Sequence, residues 1–250
     1  MLPMAGSAWD CNAASGPPRH TVLVRVTQWI TALCFFALLL SGIEILISHP
    51  RFYWGETGNV NTAPLFQFPI PASRGSVPTG YGYVLPDQNG WSRSLHFQAA
   101  WAVVFTGALY VLAGLLRRHF QRNLLPAPAH LSWRAISAAL AAHLRRTPPD
   151  EVEAWSYNLL QRLAYLAVIF ALFPLAIWTG LAMSPAFVAA FPWAVEAFGG
   201  QQSARTIHFF VSVLLALFLL VHIAMVVLAG FRTRVRAMIT GRLDAPRENA

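Results

Sequence analysis

Four stretches of the chain are apolar for the length of a membrane crossing, and polar or arginine-rich segments separate them. They run approximately over residues 28–47, 94–116, 159–183 and 204–230. A bilayer core about 30 Å thick takes roughly 20 helical residues to cross, so each stretch is predicted to be a transmembrane helix. The pattern predicts an all-α, integral membrane four-helix bundle. The first apolar run is too long for a secretory leader and no small-residue cleavage site follows it before HPRFYW, so it is expected to remain as a helix. Pro174 falls inside the third span and predicts a kink there.

The segments between the spans differ in kind. Residues 1–18 are small, polar and rich in Gly and Pro, which predicts a disordered tail. Residues 19–243 form the expected membrane domain, and 244–250 a short C-terminal tail. The loop 48–92 contains six prolines and several Gly-aromatic clusters (FYWGETGN, FQFPIPASRG, PTGYGYVLPDQNGW). Turns and stacked rings can order such a loop without a strand or helix pattern. Its length suits either a lid over the helix ends or a docking surface for a partner. Between the second and third spans, LSWRAISAALAAHLRR places Leu131, Ala135, Ile136, Ala139, Leu140 and Leu144 on one helical face, which predicts a helix lying on the membrane surface.

Composition agrees with the pattern. Of 250 residues, 56% are hydrophobic and only 11% charged, far from the balance of a water-soluble domain. All 18 basic residues are arginine. The loop between spans two and three carries Arg117, Arg118, Arg122, Arg134, Arg145 and Arg146, and the C-terminal segment carries Arg232, Arg234, Arg236, Arg242 and Arg247. The opposite side has Arg51 and Arg74, with Arg93 and Arg205 at span ends. By the positive-inside rule both termini are expected in the cytoplasm and loop 48–92 outside, in a bacterial inner membrane. Arginines split between membrane-flanking segments meet that rule without a nucleic-acid ligand, and none is expected. Cys11 and Cys34 make neither a disulfide framework nor a metal pair. Glu44, in the last turn of the first span, can snorkel outward or handle protons.

Three of the eight histidines, His96, His208 and His222, fall within spans, where an imidazole is expensive and calls for a function. His208 and His222 are fourteen residues apart, which is about 21 Å of helical rise and close to four turns, so they share one face at opposite depths. His96 and His208 both lie in the first turn of spans that start outside, and so match in depth. Two imidazoles meeting across a bundle are what six-coordinate haem iron requires. Zinc would need further Cys, His, Asp or Glu ligands that the spans hardly offer. On the cytoplasmic side, His222 faces Gln28 of span one and Tyr157, Asn158 and Gln161 of span three, but no histidine.

With these residues in view, the chain from about Val24 to Leu243 resembles the four-helix membrane cytochrome b subunits of respiratory formate dehydrogenases, nickel-iron hydrogenases and thiosulfate reductases. The likeness rests on RVTQWITALCFFALLLSGIEI, SLHFQAAW, YNLLQRLAYLAVIF, IHFFVSVLLALFLLVHIAMV and GFRTRVRAMITGRL. The long outer loop with HPRFYWGE looks most like the thiosulfate reductase branch. The resemblance implies two b haems. His96 and His208 would hold the outer one, and His222 one face of the inner one. Its partner would be a histidine just before the Trp of span one, where this chain has Gln28, a poor axial ligand by comparison. The inner haem could then hang from His222 alone, be absent, or recruit His20. The resemblance further implies a quinone pocket at the inner haem with Asn158, and a periplasmic partner containing molybdenum, with or without an iron-sulfur subunit. The function it implies is electron transfer and membrane anchoring between quinone and that oxidoreductase, rather than stand-alone catalysis. A haem-free anchor or assembly protein is the competing reading.

Overall fold

A computed structural model describes the chain apart from residues 1–20, 60, 71–89, 127–130, 135–136, 139–140, 142–158, 229 and 242–250. The expected tail 1–18, His20, Tyr157 and Asn158 lie outside the described residues, as does much of the expected surface helix.

Four helices are long and apolar enough to span a membrane: Val22–Ser48, Trp91–Leu116, Leu159–Ala182 and Gln201–Leu228. Each contains or closely matches a predicted span. Helix α1 (Val22–Ser48) begins at Thr21, whose hydroxyl accepts from the Val24 amide at 3.4 Å, an ordinary N-cap. Helix α2 (Trp91–Leu116) ends at Arg117, and a short α3 (His119–Asn123) follows. The third span is composite: α4 (Leu159–Ala167), a π-helical turn over Val168–Leu172, then α5 (Phe173–Ala182). Pro174 has no amide hydrogen and its ring collides with the preceding turn of a regular helix. The chain accommodates it by widening the turn before it, so that the Phe173 amide reaches back to the Val168 carbonyl. The expected kink at Pro174 is therefore realised as a π-bulge.

Short helices α6 (Pro185–Ala190) and α7 (Trp193–Glu196) lead to α8 (Gln201–Leu228). Gly230, at φ +95°, turns the chain into α9 (Phe231–Thr240). A left-handed backbone there stops the span sharply. The arginine-rich sequence of α9 masked it as a tail in the hydropathy pattern.

Close helix packing among the described spans occurs within two hairpins, α1 against α2 and α5 against α8. Spans from different hairpins hardly approach at backbone level. They meet through side chains such as Phe35 of α1, which packs on the cluster of Val168, Val211 and Leu215. Many large apolar side chains of the spans point outward, Leu33 at 73% and Leu116 at 77% exposure, whereas the most deeply buried positions are small: Ser41, Thr179, Ser203 and Thr206 together with Ala182, Ala194 and Ala204. That inversion is what lipid as solvent produces.

The outer loop is not free of strands. Arg51–Phe52 (β1) and Phe66–Gln67 (β2) form an antiparallel pair, with Phe52 opposite Phe66. Their rings stack at 4.6 Å and extend onto Phe209 of α8 at 4.7 Å from Phe52. Stacking does order this segment, as expected, but a two-residue ladder also contributes, too short to leave an alternation in the sequence.

Candidate functional site

The first part of the loop caps the helix that carries His208. An α-helix begins with amides that lack intrahelical acceptors. At the start of α8, Gln201 N–H donates to the Glu56 carboxylate at 3.2 Å, and Gln202 and Ser203 N–H donate to the Gly55 carbonyl at 3.0 and 3.2 Å. Ser203 Oγ in turn accepts from Gly55 N–H at 2.7 Å, and Thr206 donates to the Tyr53 carbonyl at 2.7 Å. Arg205 donates to the His49 carbonyl and lies 4.9 Å over the Phe52 ring. The negative Glu56 suits the positive end of the helix dipole. His49 keeps part of its ring in solvent, yet burial of the remainder, and next the Arg205 charge, hold its pKa below the ordinary value.

Below this cap, His96 of α2 and His208 of α8 face one another across the two hairpins, ring centres 6.3 Å apart and planes at 63°. Each ring is fixed by the other helix of its own hairpin. His208 Nδ1 lies 3.0 Å from the Ala176 carbonyl and 2.9 Å from Thr179 Oγ1. A carbonyl only accepts, so the proton sits on Nδ1 and Nε2 is left with a bare lone pair. Thr179 gives its own hydrogen to the Leu175 carbonyl at 2.7 Å, which frees its oxygen to accept. The arrangement recurs in the first hairpin. His96 Nδ1 lies 3.0 Å from Ser41 Oγ, and Ser41 donates to the Ala37 carbonyl at 2.6 Å.

The following residue is glycine in both hairpins. A Cβ on Gly42 would stand 3.6 Å from His96 Cε1, and one on Gly180 3.6 Å from His208 Cε1. That is ordinary contact for one carbon and leaves no room beyond it. Ser41-Gly42 with His96 and Thr179-Gly180 with His208 are thus two copies of one device. The sequence reading missed all four supporting residues. The available signal was a hydroxyl-glycine pair on the neighbouring span at the depth of each histidine.

The geometry fits an iron between two imidazoles. A first-row metal lies about 2 Å from an imidazole nitrogen and the ring centre about 1 Å further, so two axial rings stand about 6 Å apart. The weak backbone contact between hairpins supplies a seam for a flat macrocycle.

The same seam continues to the other end. On α1, Gln28, Phe35 and Gly42 follow at intervals of seven, and on α8 so do His208, Leu215 and His222. Seven residues are nearly two turns and return to one face. Phe35 packs in the Leu215 cluster and Gly42 lies beside the His96 and His208 pair. The spacing therefore sets Gln28 and His222 on the seam side of their helices, each six residues from the end of its helix at Val22 and Leu228. His222 packs between Tyr165, at 6.2 Å, and Phe218, stacked at 5.9 Å. Gln28 Nε2–H donates to Met238 Sδ of α9 at 3.7 Å. Of the polar residues expected around His222 from span three, Gln161 is described and half-buried.

Comparison with known proteins agrees with this architecture. The family model described as prokaryotic cytochrome b561 matches residues 19–241. A relative from Azospira oryzae, named putative protein-methionine-sulfoxide reductase subunit YedZ1, is 29% identical over 227 residues, covering 89% of this chain and 96% of the relative. No solved structure matches. With four membrane-spanning helices and a family match over nearly its whole length, the chain belongs to the prokaryotic cytochrome b561 family, haem b-binding electron-transfer subunits that cross the bacterial inner membrane several times.

Proposed function

We propose that this protein passes electrons between membrane quinone and a periplasmic oxidoreductase through two haem b sites along the α1–α8 seam. The observation that carries the reading is the His96 and His208 pair, rings 6.3 Å apart, each with Nδ1 engaged by its own hairpin. Haem b, when bound, supplies a one-electron Fe(III)/Fe(II) couple. The residues supply the rest. His96 and His208 would hold the outer haem. The Ala176 carbonyl sets the tautomer of His208, and Ser41 and Thr179 raise the basicity of the two imidazoles. Gly42 and Gly180 keep the ring edges clear. His222 would hold the inner haem on one face. The arginine asymmetry supports cytoplasmic termini, which makes the His96 end periplasmic and the Gln28 end cytoplasmic.

At the periplasmic end, the loop that caps α8 is the natural place for a soluble oxidoreductase to dock, since it covers the helix holding His208. The Azospira oryzae relative is named as a reductase subunit, which supports an oxidoreductase partner. The family resemblance supports a molybdenum enzyme. At the cytoplasmic end, Asn158 together with Tyr157 and Gln161 is the proposed quinone pocket, amide and hydroxyl groups suiting a quinone carbonyl and its reduced hydroxyl.

The test is haem-to-protein stoichiometry by pyridine haemochromogen on protein purified from membranes, with His96→Ala and His208→Ala beside the wild type. Each substitution is expected to remove the same single haem. A wild type without haem b bands, or a haem content unmoved by both substitutions, would sink the reading.

A further inference from the structure

Helical spacing sets Gln28 at the level of His222 along the seam, and a glutamine amide is a poor ligand for iron. None of the described residues hydrogen-bonds to the His222 imidazole, unlike His96 and His208, so its nitrogens are not committed to a helix. What stands at the opposite position is not glutamine alone. Helix α9 leaves α8 at Gly230 and returns to α1: Arg25 donates to the Ile239 carbonyl, and Gln28 Nε2–H donates to Met238 Sδ at 3.7 Å. The helix therefore bars the open end of the seam between α8 and α1. Met238 is half-buried and follows the buried Ala237 on the bundle side of α9.

From this we infer that Met238, on the helix that closes the seam, is the axial ligand opposite His222 at the inner haem, with Gln28 holding its thioether in place. The inference rests on the haem reading above. A thioether is neutral and soft, and haem iron accepts it opposite histidine. Its sulfur has two lone pairs, so one can accept the Gln28 amide hydrogen while the other faces the metal. Gln28 is then a positioning residue rather than a failed ligand. Replacing histidine by methionine on one face favours Fe(II) and raises the potential. The outer site, with two histidines whose Nδ1–H groups donate to oxygen, is expected at lower potential than the inner one.

The experiment uses the full chain purified with its haem, and compares wild type with Met238→Leu, Met238→His and Gln28→Leu. Leucine keeps the volume and burial of methionine. The oxidised wild type is expected to show the weak near-infrared sulfur-to-iron charge-transfer band. Met238→Leu loses that band, turns one haem from low-spin to high-spin and leaves the other unchanged. Met238→His restores a low-spin spectrum with a more negative midpoint, and Gln28→Leu shifts the same midpoint while keeping the band. The outer haem, removed by His96→Ala and retained in all three variants, serves as the fold control. A wild type with two haems and no sulfur band, a wild type with one haem, or a Met238→Leu protein with both spectra intact overturns the inference while the outer site stands. Absence of all haem overturns the function reading as well.

Discussion

Replacing Thr179 by valine tests how the protein sets the outer site. The substitution keeps the β-branch and nearly the volume, and deletes one oxygen 2.9 Å from His208 Nδ1. The Ala176 carbonyl, 3.0 Å from the same nitrogen, remains. The tautomer is therefore preserved and haem stays bound. What is lost is one hydrogen bond to the ligand, worth about 0.5–1.5 kcal/mol. That bond favours Fe(III), because a ring that shares its Nδ1 proton is a stronger donor through Nε2. With tenfold in an equilibrium constant corresponding to about 59 mV for one electron, and only the difference in bond strength between Fe(III) and Fe(II) counting, the loss moves the midpoint of the outer haem positively by at most about 65 mV. Ser41→Ala should act alike through His96, and Thr179→Ser, which returns the hydroxyl, should restore the wild-type value. Spectroelectrochemical titration reads the midpoint, and pyridine haemochromogen reads occupancy. An unchanged or negative midpoint at full occupancy in both variants would refute the reasoning, as would a shift that Thr179→Ser does not reverse.

Three other outcomes follow from the geometry. Gly42→Ala and Gly180→Ala should be tolerated, because the added carbon meets the imidazole at 3.6 Å, whereas Gly42→Leu and Gly180→Leu should abolish the outer haem, which haem staining and absorbance can check. Glu56→Ala removes the carboxylate from the start of α8 and should weaken the cap by less than about 1 kcal/mol, visible as faster hydrogen exchange at Gln201–Ser203 with the rest of α8 unaltered. His49 has a lowered pKa in the folded protein, so the unfolded chain binds its proton first. Its contribution to stability is complete above the unfolded pKa of about 6.5 and is lost as pH falls through the lower folded value. Proteolysis of the 49–68 segment should therefore accelerate between about pH 7 and pH 5, and His49→Gln should flatten that dependence.

Hydropathy alone located all four spans, because lipid demands long apolar runs and nothing else in this chain has them. It did not reveal α9, whose arginines lower the average below any membrane threshold although the helix still packs Ala237 and Met238 inward. Nor could it distinguish a kink from a π-turn at Pro174, since both satisfy the missing amide. At the site, depth arithmetic on His96 and His208 was sufficient to bring the two together. Ser41, Gly42, Thr179 and Gly180 were invisible for a different reason. Small hydroxyl and glycine residues are common at every membrane helix interface, so only coordinates single out the two that meet an imidazole. Met238 was unreadable because it arrives from a separate helix.

The sparse contact between the hairpins also bears on how such a chain is made. The α1–α2 hairpin is complete, with His96 already oriented by Ser41, before α8 has been synthesised. A haem held between His96 and His208 would bolt the two halves together, as mortar rather than cargo. Ligand that binds only the joined form stabilises it by mass action, and unjoined halves are exposed to membrane proteases in proportion to their population. Haem supply would then govern how much of the subunit survives in the membrane, before a single electron passes through it.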